Sequence, residues 1–275
     1  LAPESGLRGR SFNYARNSVK AVIDAYDGSI DLYIVDEDDP LAEAYEKIFP
    51  DLFTDIEEAP EGLAEHFRYP EDLFRVQTQM WSKYHVEDPD TFYNGNDEWT
   101  VAEEPGVQDL ANSDAAPVGP DGQPLTSEDR FVPQYLLSRL PGDEAQSFFL
   151  MRPFVPSGGD TNAQRLLTSF MVASSDPDSY GELRTFEMPG NNLPDGPSLA
   201  ADQMESDPEV RRLQNLVCSQ GTTCRLRNLV MVPIDDSLLY VRSLFSSGDQ
   251  SGVPRLERVI VSYQSPNGTR IAVDT

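Results

Sequence analysis

The side chains best able to do chemistry in this sequence are carboxylates and amides, and several of them surround one glycine. The cluster around Gly95 consists of Asp88, Asp90, Asn94, Asn96 and Asp97. Because Ca²⁺ takes six to eight oxygen ligands, often carboxylates and carbonyls on a turn, the segment is a candidate calcium site. Its spacing differs from that of the EF-hand, and Asx side chains in turns also cap their own backbone. The segment therefore predicts either bound calcium or a hydrogen-bonded loop.

Few histidines are available for catalysis, because His66 and His85 are the two histidines of the sequence. Both lie at or near predicted helix ends, which favours a surface or capping role over a general base. The sequence also lacks the nucleophile elbow, the phosphate-binding loop, the dinucleotide-binding fingerprint and the zinc-protease motif. Paired carboxylates could hydrolyse a glycosidic bond, but 47 acidic residues make such pairs frequent by chance. We therefore assign no catalytic residue.

Two cysteines, Cys218 and Cys224, are separated by five residues. A zinc site needs about four ligands, and a redox pair usually has the spacing Cys-x-x-Cys. A short disulfide loop or two free thiols remain, and the disulfide is favoured if the compartment is oxidising. A basic cluster surrounds the pair and predicts either contacts with local acids or binding of an anion or an acidic partner. Its members are Arg211, Arg212, Arg225 and Arg227.

The overall charge is strongly negative, with 47 Asp and Glu against 21 Lys and Arg and a formal net charge of −26. Such a field repels nucleic acid and anionic lipid headgroups, so no nucleic-acid partner is expected. It attracts cations and basic partners, although solubility or adaptation to salt also explains it. No apolar run reaches the 18 residues that would span a bilayer. No signal peptide is visible at Leu1, so any targeting information is expected to lie outside this sequence.

Residues 19–35 predict a β-hairpin, because two alternating apolar runs flank Asp27-Gly28. A two-residue loop at Asp27-Gly28 would pair Ile23 with Leu32 on the buried face. It would also place Asp24 directly opposite Asp31, where like charges destabilise a sheet. Solvent, a basic side chain or a bound cation would have to relieve that repulsion, so Asp24 and Asp31 form a second, weaker metal candidate.

Helices are predicted over residues 40–49 and 61–67 and from Pro70 onward, and residues 84–99 are expected to form a loop. The third helix is expected to turn its large apolar residues inward, namely Leu73, Phe74, Val76, Met80, Trp81 and Tyr84. Residues 102–129 are poor in apolar residues and rich in turn formers, which predicts a linker or a long loop.

Strands dominate from Pro133 onward. They are predicted over 134–140, 147–155, 167–173, 182–188, 226–234, 238–245, 256–263 and 270–273. Helices are predicted over 195–206 and 207–219, and Asn267-Gly268 indicates a second hairpin. The pattern predicts an α+β fold with mostly antiparallel sheets, several short helices and a strand-rich C-terminal half. The chain is predicted to divide into a hairpin and helical part over 1–101, the linker over 102–129, and a strand-rich part over 130–275. Alternatively, it forms one continuous domain.

Four stretches, in chain order, resemble the uncharacterised bacterial membrane protein family UPF0182. They are RNSVKAVIDAYDG at 16–28, FRYPEDLFRVQTQMWSKYHVEDPDTFYNGNDEW at 67–99, QYLLSRLPGD at 134–143 and RNLVMVPIDDSLLYVRSLF at 227–245. The most specific segments are 69–74 and 92–95. The resemblance implies a large protein with several N-terminal transmembrane helices followed by a soluble region outside the cytoplasm. The family has no assigned reaction, so the resemblance supplies no catalytic residues.

The leading functional prediction is therefore an extracytoplasmic domain of a polytopic membrane protein, located at the outer side of the cell membrane. It would bind an envelope component, a cation or a basic partner, and it would adjoin the transmembrane segments of its own full-length chain. Two alternatives remain. One is a cell-envelope hydrolase with two catalytic carboxylates about 5 to 9 Å apart, one of them with a raised pKa. The other is a structural module stabilised by calcium.

Overall fold

The computed structural model describes residues 14–105, 130–158, 165–190, 193–218, 222–226, 228–234, 237–248, 253–265 and 268–274. These residues form an α+β fold with three mostly antiparallel sheets, which confirms the predicted fold class. The helices are α1 Pro40–Ile48, α2 Glu71–Tyr84, α3 Pro89–Asn94, α4 Pro197–Ser206 and α5 Pro208–Val217, and 3₁₀ turns cover Ile56–Glu58, Ala64–His66 and Pro177–Ser179.

The strands of the N-terminal half are β1 Val19–Ile23, β2 Ile30–Ile34, β3 Thr54–Asp55 and β4 Trp99–Val101. Those of the C-terminal half are β5 Gln134–Ser138, β6 Ser147–Pro156, β7 Ser169–Ser174, β8 Leu183–Glu187, β9 Thr222–Leu226, β10 Val230–Ile234, β11 Ser237–Gly248, β12 Arg255–Ser265 and β13 Gly268–Val273. The predicted strand at 226–234 is divided, because its start belongs to β9 and its end to β10.

Both five-stranded sheets share one construction, in which a long strand is flanked on one side by two short strands placed end to end. In the first sheet β6 pairs with β7 on one side and with β4 and β5 on the other, and β8 follows β7. In the second sheet β11 pairs with β12 on one side and with β9 and β10 on the other, and β13 follows β12. Strands β1, β2 and β3 form a small sheet of their own.

The main core lies where the two five-stranded sheets face each other. Strand alternation directs Phe149, Met151, Phe170 and Val172 toward this core, where they belong to one buried cluster with residues of the second sheet and of α4 and α5. The alternate residues of β6 and β7 face the opposite way and form a second buried cluster with α2 and β4. The first sheet is therefore covered on both faces.

Strand β4 hydrogen-bonds to β6, so the N-terminal and C-terminal parts share one sheet. At the start of the predicted linker, Ala102 and Glu104 are buried. Residues 106–129, which are most of the predicted linker, lie outside the described residues, and the division into two parts stays a prediction.

The N-terminal hairpin forms, but its predicted register is wrong by two residues. Ile23 pairs with Ile30, and Val22, not Asp24, lies opposite Asp31. The reason is the side chain of Asp24, whose Oδ1 accepts hydrogen bonds from the backbone N–H groups of Tyr26 and Asp27 and so draws residues 24–29 into a longer loop. A shift of two residues keeps each side chain on its original face of the sheet, but the burial predicted for that face is also wrong, because Ile23 and Ile30 are 63% and 60% exposed.

The inward face of α2 matches the prediction only in part: Phe74 is buried and Leu73 packs against the second cluster, as predicted, but three other residues point outward. Met80, Trp81 and Tyr84 are 56%, 40% and 66% exposed. The buried face is largely polar and consists of Phe74, Arg75, Thr78, Gln79 and Ser82. This reversal arises because α2 packs against a buried guanidinium from β6, which hydrogen-bonds to the polar face of the helix.

Two shorter predictions are corrected in the same region. Residues 61–67 contain a 3₁₀ turn, not an α-helix. The expected loop at 84–99 contains α3, which starts at the Asp88 cap with Pro89 in its first turn and ends at the left-handed Gly95. A capping acid followed by proline is a signal for the start of a helix, so the sequence did indicate α3.

Candidate functional site

A pocket of about 900 Å³ opens between the two five-stranded sheets. Its walls come from β7 and β8 of the first sheet, from β11, β12 and β13 of the second, and from the segment leading into α4. Pockets of 300–1,000 Å³ at the junction of structural layers are typical of small-molecule sites. This inter-sheet pocket is therefore the candidate functional site.

The apolar wall of the pocket is rigid. Phe170 of β7 and Phe186 of β8 stack with their ring centroids 4.9 Å apart. The guanidinium of Arg184 also lies over the Phe186 ring, and Asp143 holds this guanidinium through two hydrogen bonds. Proline contributes further fixed surface at positions 141, 189, 194 and 233. Rigid aromatic and proline surfaces lose little conformational entropy when a ligand covers them.

The polar part of the pocket centres on the carboxylate of Asp195. Its Oδ2 accepts hydrogen bonds from Nε2 of Gln203, at 2.9 Å, and from Nε2 of Gln264, at 3.1 Å. The hydroxyl of the buried Tyr240 donates a hydrogen bond to the backbone carbonyl of Asp195, at 2.7 Å. Donors from α4, β12 and β11 therefore fix Asp195, and all of them are neutral. Burial keeps Tyr240 a donor, because it raises the pKa of the phenol.

Gly196 explains why the chain can place Asp195 at this point. The Gly196 N–H donates to the carbonyl oxygen of Arg165 at 2.8 Å, and a Cβ on residue 196 would lie 2.6 Å from that oxygen. Nearby, the Leu167 N–H donates to the carbonyl of Pro194 at 2.8 Å. The backbone around Asp195 is thus fastened to the segment before β7, and only glycine allows so close an approach.

The charge of the pocket limits the ligands that it can accept. Among the described lining residues, Asp195 and Glu187 are the carboxylates, and none is Lys, Arg or His. The net charge of −26 adds a negative field around it. The pocket is therefore suited to a ligand that brings hydrogen-bond donors and has no net negative charge.

The predicted calcium segment is placed around α3. Oδ2 of Asp88 accepts a hydrogen bond from the Thr91 N–H at 2.8 Å, and this bond holds the pKa of Asp88 below its usual value. Nδ2 of Asn94 donates to the backbone carbonyl of Asp90. Asn96 and Asp97 follow the helix, and Asp97 has a left-handed backbone with a φ of 62°. The described residues contain no group of three or more His, Cys, Asp or Glu side chains close enough to hold a metal. Calcium binding stays a prediction.

An Asp88→Ala variant distinguishes a helix-capping role of Asp88 from a calcium-binding role. Because the aspartate caps α3, we expect the free energy of unfolding to fall by about 0.5–2 kcal/mol. Urea unfolding with calcium and with a chelator measures this loss. A loss that is equal in both conditions supports the cap, and a loss that is present only with calcium supports a metal site.

The other sequence candidates are dispersed. The second metal candidate loses its basis, because Asp24 and Asp31 are not opposite each other. His66 ends an exposed 3₁₀ turn. His85 stacks on Trp99 with ring centroids 3.6 Å apart, and each of its ring nitrogens lies 3.1 Å from a backbone carbonyl oxygen. Neither histidine lines the inter-sheet pocket.

The structure joins Cys218 to Cys224 in a disulfide with a Cα–Cα distance of 5.6 Å. In the basic cluster around it, Arg211 donates to the backbone carbonyl of Glu205, and Arg212 lies 3.9 Å from a carboxylate oxygen of Glu209. Arg225 is exposed on β9. Arg227 lies outside the described residues.

Among the described residues, Glu104 is the carboxyl group whose pKa the structure raises, to about 7, because the side chain is almost completely buried. The guanidinium groups of Arg242, Arg152 and Arg75 oppose this shift. Glu104 does not line the inter-sheet pocket, so its raised pKa provides no general acid there.

Sequence reasoning missed the inter-sheet pocket entirely. Residues 195–206 were expected to form a helix, and Asp195 carried no signal of a binding role. The side chains that fix it come from Gln203, Tyr240 and Gln264, and long-range sheet pairing brings these together. The one local signal is Gly196-Pro197 directly after Asp195, which indicates a tight turn into a helix.

Comparison with known proteins gave consistent matches. The sequence model of the uncharacterised protein family UPF0182 matches residues 3–217. A UPF0182 protein of Methanospirillum hungatei is 37% identical over 258 residues, which are 94% of this chain and 26% of that relative. A UPF0182 protein of Desulfitobacterium hafniense is 36% identical, over 92% of this chain and 25% of that relative. A UPF0182 protein of Trichodesmium erythraeum is 36% identical, over 96% of this chain and 24% of that relative.

The chain thus spans about a quarter of the length of these relatives. No solved structure gave a significant match. Among the described residues, every helix is too short or too polar to cross a bilayer.

Proposed function

Because the chain belongs to the uncharacterised protein family UPF0182, we propose that it is the extracytoplasmic, ligand-binding part of a larger membrane protein. The inter-sheet pocket is its binding site, and the ligand is a component of the cell envelope that carries hydrogen-bond donors and no net negative charge. The observation that carries the binding role is Asp195 at a partly apolar pocket, where two neutral donors hold its carboxylate and a third holds its backbone carbonyl.

Two observations support the location. The relatives are about four times as long as this chain, which leaves room for membrane-spanning segments elsewhere in the polypeptide. The Cys218–Cys224 disulfide is a feature of oxidising compartments, whereas cytosolic thiols are kept reduced. The acidic charge agrees with a basic or cationic partner and disfavours nucleic acid.

The geometry favours the binding role over the two alternative functions. A hydrolase would use a pair of carboxylates in the pocket, which Asp195 and Glu187 could supply, but it would also need one of raised pKa. Among the described residues the carboxyl group so affected is Glu104, which lies elsewhere. A calcium module would need ligands around α3, where the Asp88 carboxylate already accepts a backbone hydrogen bond.

Thermal-shift screening of the chain tests the binding role with three sets of probes: neutral oligosaccharides, organic amines and sugar phosphates. We expect stabilising probes to come from the first two sets, since the described lining residues include two carboxylates and no cationic side chain. Hits confined to the phosphates, or no hits in any set, would contradict the proposal.

An Asp195→Asn variant tests the central contact. It keeps an oxygen acceptor for Gln203 and Gln264 but removes the charge, so we expect affinity for any hit to fall about 10- to 100-fold. Isothermal titration calorimetry measures the change. Glu65→Gln is the control, because Glu65 is an exposed carboxylate outside the pocket. The affinity of the Glu65→Gln variant for the same probe should equal that of the wild type.

A further inference from the structure

Helix α1 exposes its apolar side. Leu41, Tyr45 and Ile48 recur at helical spacing on one face and are 52%, 56% and 64% exposed. Phe49 and Leu52, which follow the helix, are 49% and 48% exposed. We call these five residues the α1 apolar face. The charged residues of the helix, Glu43, Glu46 and Lys47, occupy its other sides.

The attachment of α1 to the rest of the described chain is small. Ala42 is the one residue of the helix that is buried among the described residues. The helix has nine residues, and isolated helices shorter than about 12–15 residues are marginal in water. Helices of this length owe their stability to an apolar face that packs against a neighbouring element, whereas the part of the chain that the structure describes leaves this face exposed.

The start of the helix is nevertheless fixed in position. Oδ1 of Asp39 accepts hydrogen bonds from the Leu41 N–H, at 3.0 Å, and from the Tyr14 hydroxyl, at 2.8 Å. Oδ2 accepts one from the hydroxyl of Ser18, next to β1. The α1 apolar face is therefore presented in a defined direction, as a preformed docking surface requires.

We propose that the α1 apolar face docks against another part of the same full-length polypeptide, outside residues 1–275. The relatives are about four times as long as this chain, so about three quarters of the family protein is available to supply the partner. This proposal rests on the larger parent in the proposed function, and it is independent of the inter-sheet pocket.

Charge argues against the two other occupants. A second copy would bring together two chains that each have a net charge of −26, and an anionic bilayer would be repelled in the same way. The exposed acids Glu43 and Glu46 flank the α1 apolar face. The partner surface is therefore apolar at its centre, with basic side chains around it.

Hydrogen–deuterium exchange of the amides at 43–49 tests the docking, in the isolated chain and in the full-length polypeptide that contains it. We expect exchange to be at least tenfold slower in the full-length protein. Equal rates in the two proteins, or slow exchange already in the isolated chain, would overturn the proposal. Slow exchange of the isolated chain that appears only at high concentration, or only with added phosphatidylglycerol vesicles, assigns the face to a second copy or to lipid and also overturns it.

Matched substitutions show whether the face itself makes the contact. Ile48→Lys should restore fast exchange in the full-length protein, whereas Leu216→Lys should not. The two residues are 64% and 68% exposed, and both lie in the last turn of a helix, where a cation is favourable. Ile48→Lys should leave the melting temperature of the isolated chain unchanged. If both variants exchange as slowly as the wild-type full-length protein, the docking proposal is wrong. The proposed ligand pocket and membrane location are tested by separate experiments and are not affected by this result.

Discussion

Replacing Arg152 with alanine is expected to lower the free energy of unfolding by about 3–5 kcal/mol. The side chain is 0% exposed, and its Nε donates to the carbonyl of Phe131 at 2.7 Å and its Nη1 to the hydroxyl of Thr78 at 3.0 Å. Alanine would leave both acceptors buried without these donors and would open a cavity between β6 and α2. Urea unfolding followed by circular dichroism measures the loss.

Arg270→Ala is the matched control, because Arg270 is exposed on β13 and its loss should change stability by no more than about 0.5 kcal/mol. Arg152→Lys should not restore stability, since an ammonium cannot reproduce the planar fork of the guanidinium. A loss below about 1 kcal/mol for Arg152→Ala would show that this guanidinium does not hold α2 to the sheet.

Glu104→Gln should change how stability depends on pH. Burial raises the pKa of Glu104 in the folded protein to about 7, above its ordinary value near 4.5. The folded state therefore binds the proton more strongly than the unfolded state. In consequence the wild-type free energy of unfolding decreases as the pH rises from about 5 to about 8. Glutamine does not titrate, so the variant lacks this decrease, which amounts to about 3 kcal/mol.

Urea unfolding of both proteins at pH 5, 6, 7 and 8 measures the effect. The informative quantity is the difference between variant and wild type, which should shift in favour of Glu104→Gln as the pH rises. Glu65→Gln provides the background slope, because Glu65 is exposed. Parallel curves for wild type and Glu104→Gln would show that Glu104 is ionised at low pH in the folded protein.

Local signals predicted much of the secondary structure. Asp39-Pro40 and Asp207-Pro208 mark the starts of α1 and α5, and in both helices the aspartate side chain accepts backbone hydrogen bonds. Short apolar stretches between turn residues, several of them alternating, located the strands of the C-terminal half except β9, of which only the last residue was predicted. These predictions succeeded because a cap, a proline and a period of two are properties of a few neighbouring residues.

Features that depend on distant residues were not predictable. The polar face of α2 turns inward because Arg152, which is more than 70 residues away, donates to Thr78. Apolar periodicity alone pointed to Met80 and Trp81 instead. The hairpin register was wrong because a single side chain, that of Asp24, competes with the ladder. Likewise the pocket exists because separate sheets meet beside Asp195, and that pairing has no local signature.

Exposure of the chain on the outer side of the membrane is the claim on which the proposed function depends. Tyr26 lies at the tip of the N-terminal hairpin and is fully exposed, so Tyr26→Cys provides a reactive thiol. Cys218 and Cys224 are joined and should not react. With the full-length variant, a membrane-impermeant maleimide should label intact cells as completely as permeabilised cells. Labelling that requires permeabilisation would place the chain in the cytoplasm and contradict the proposal.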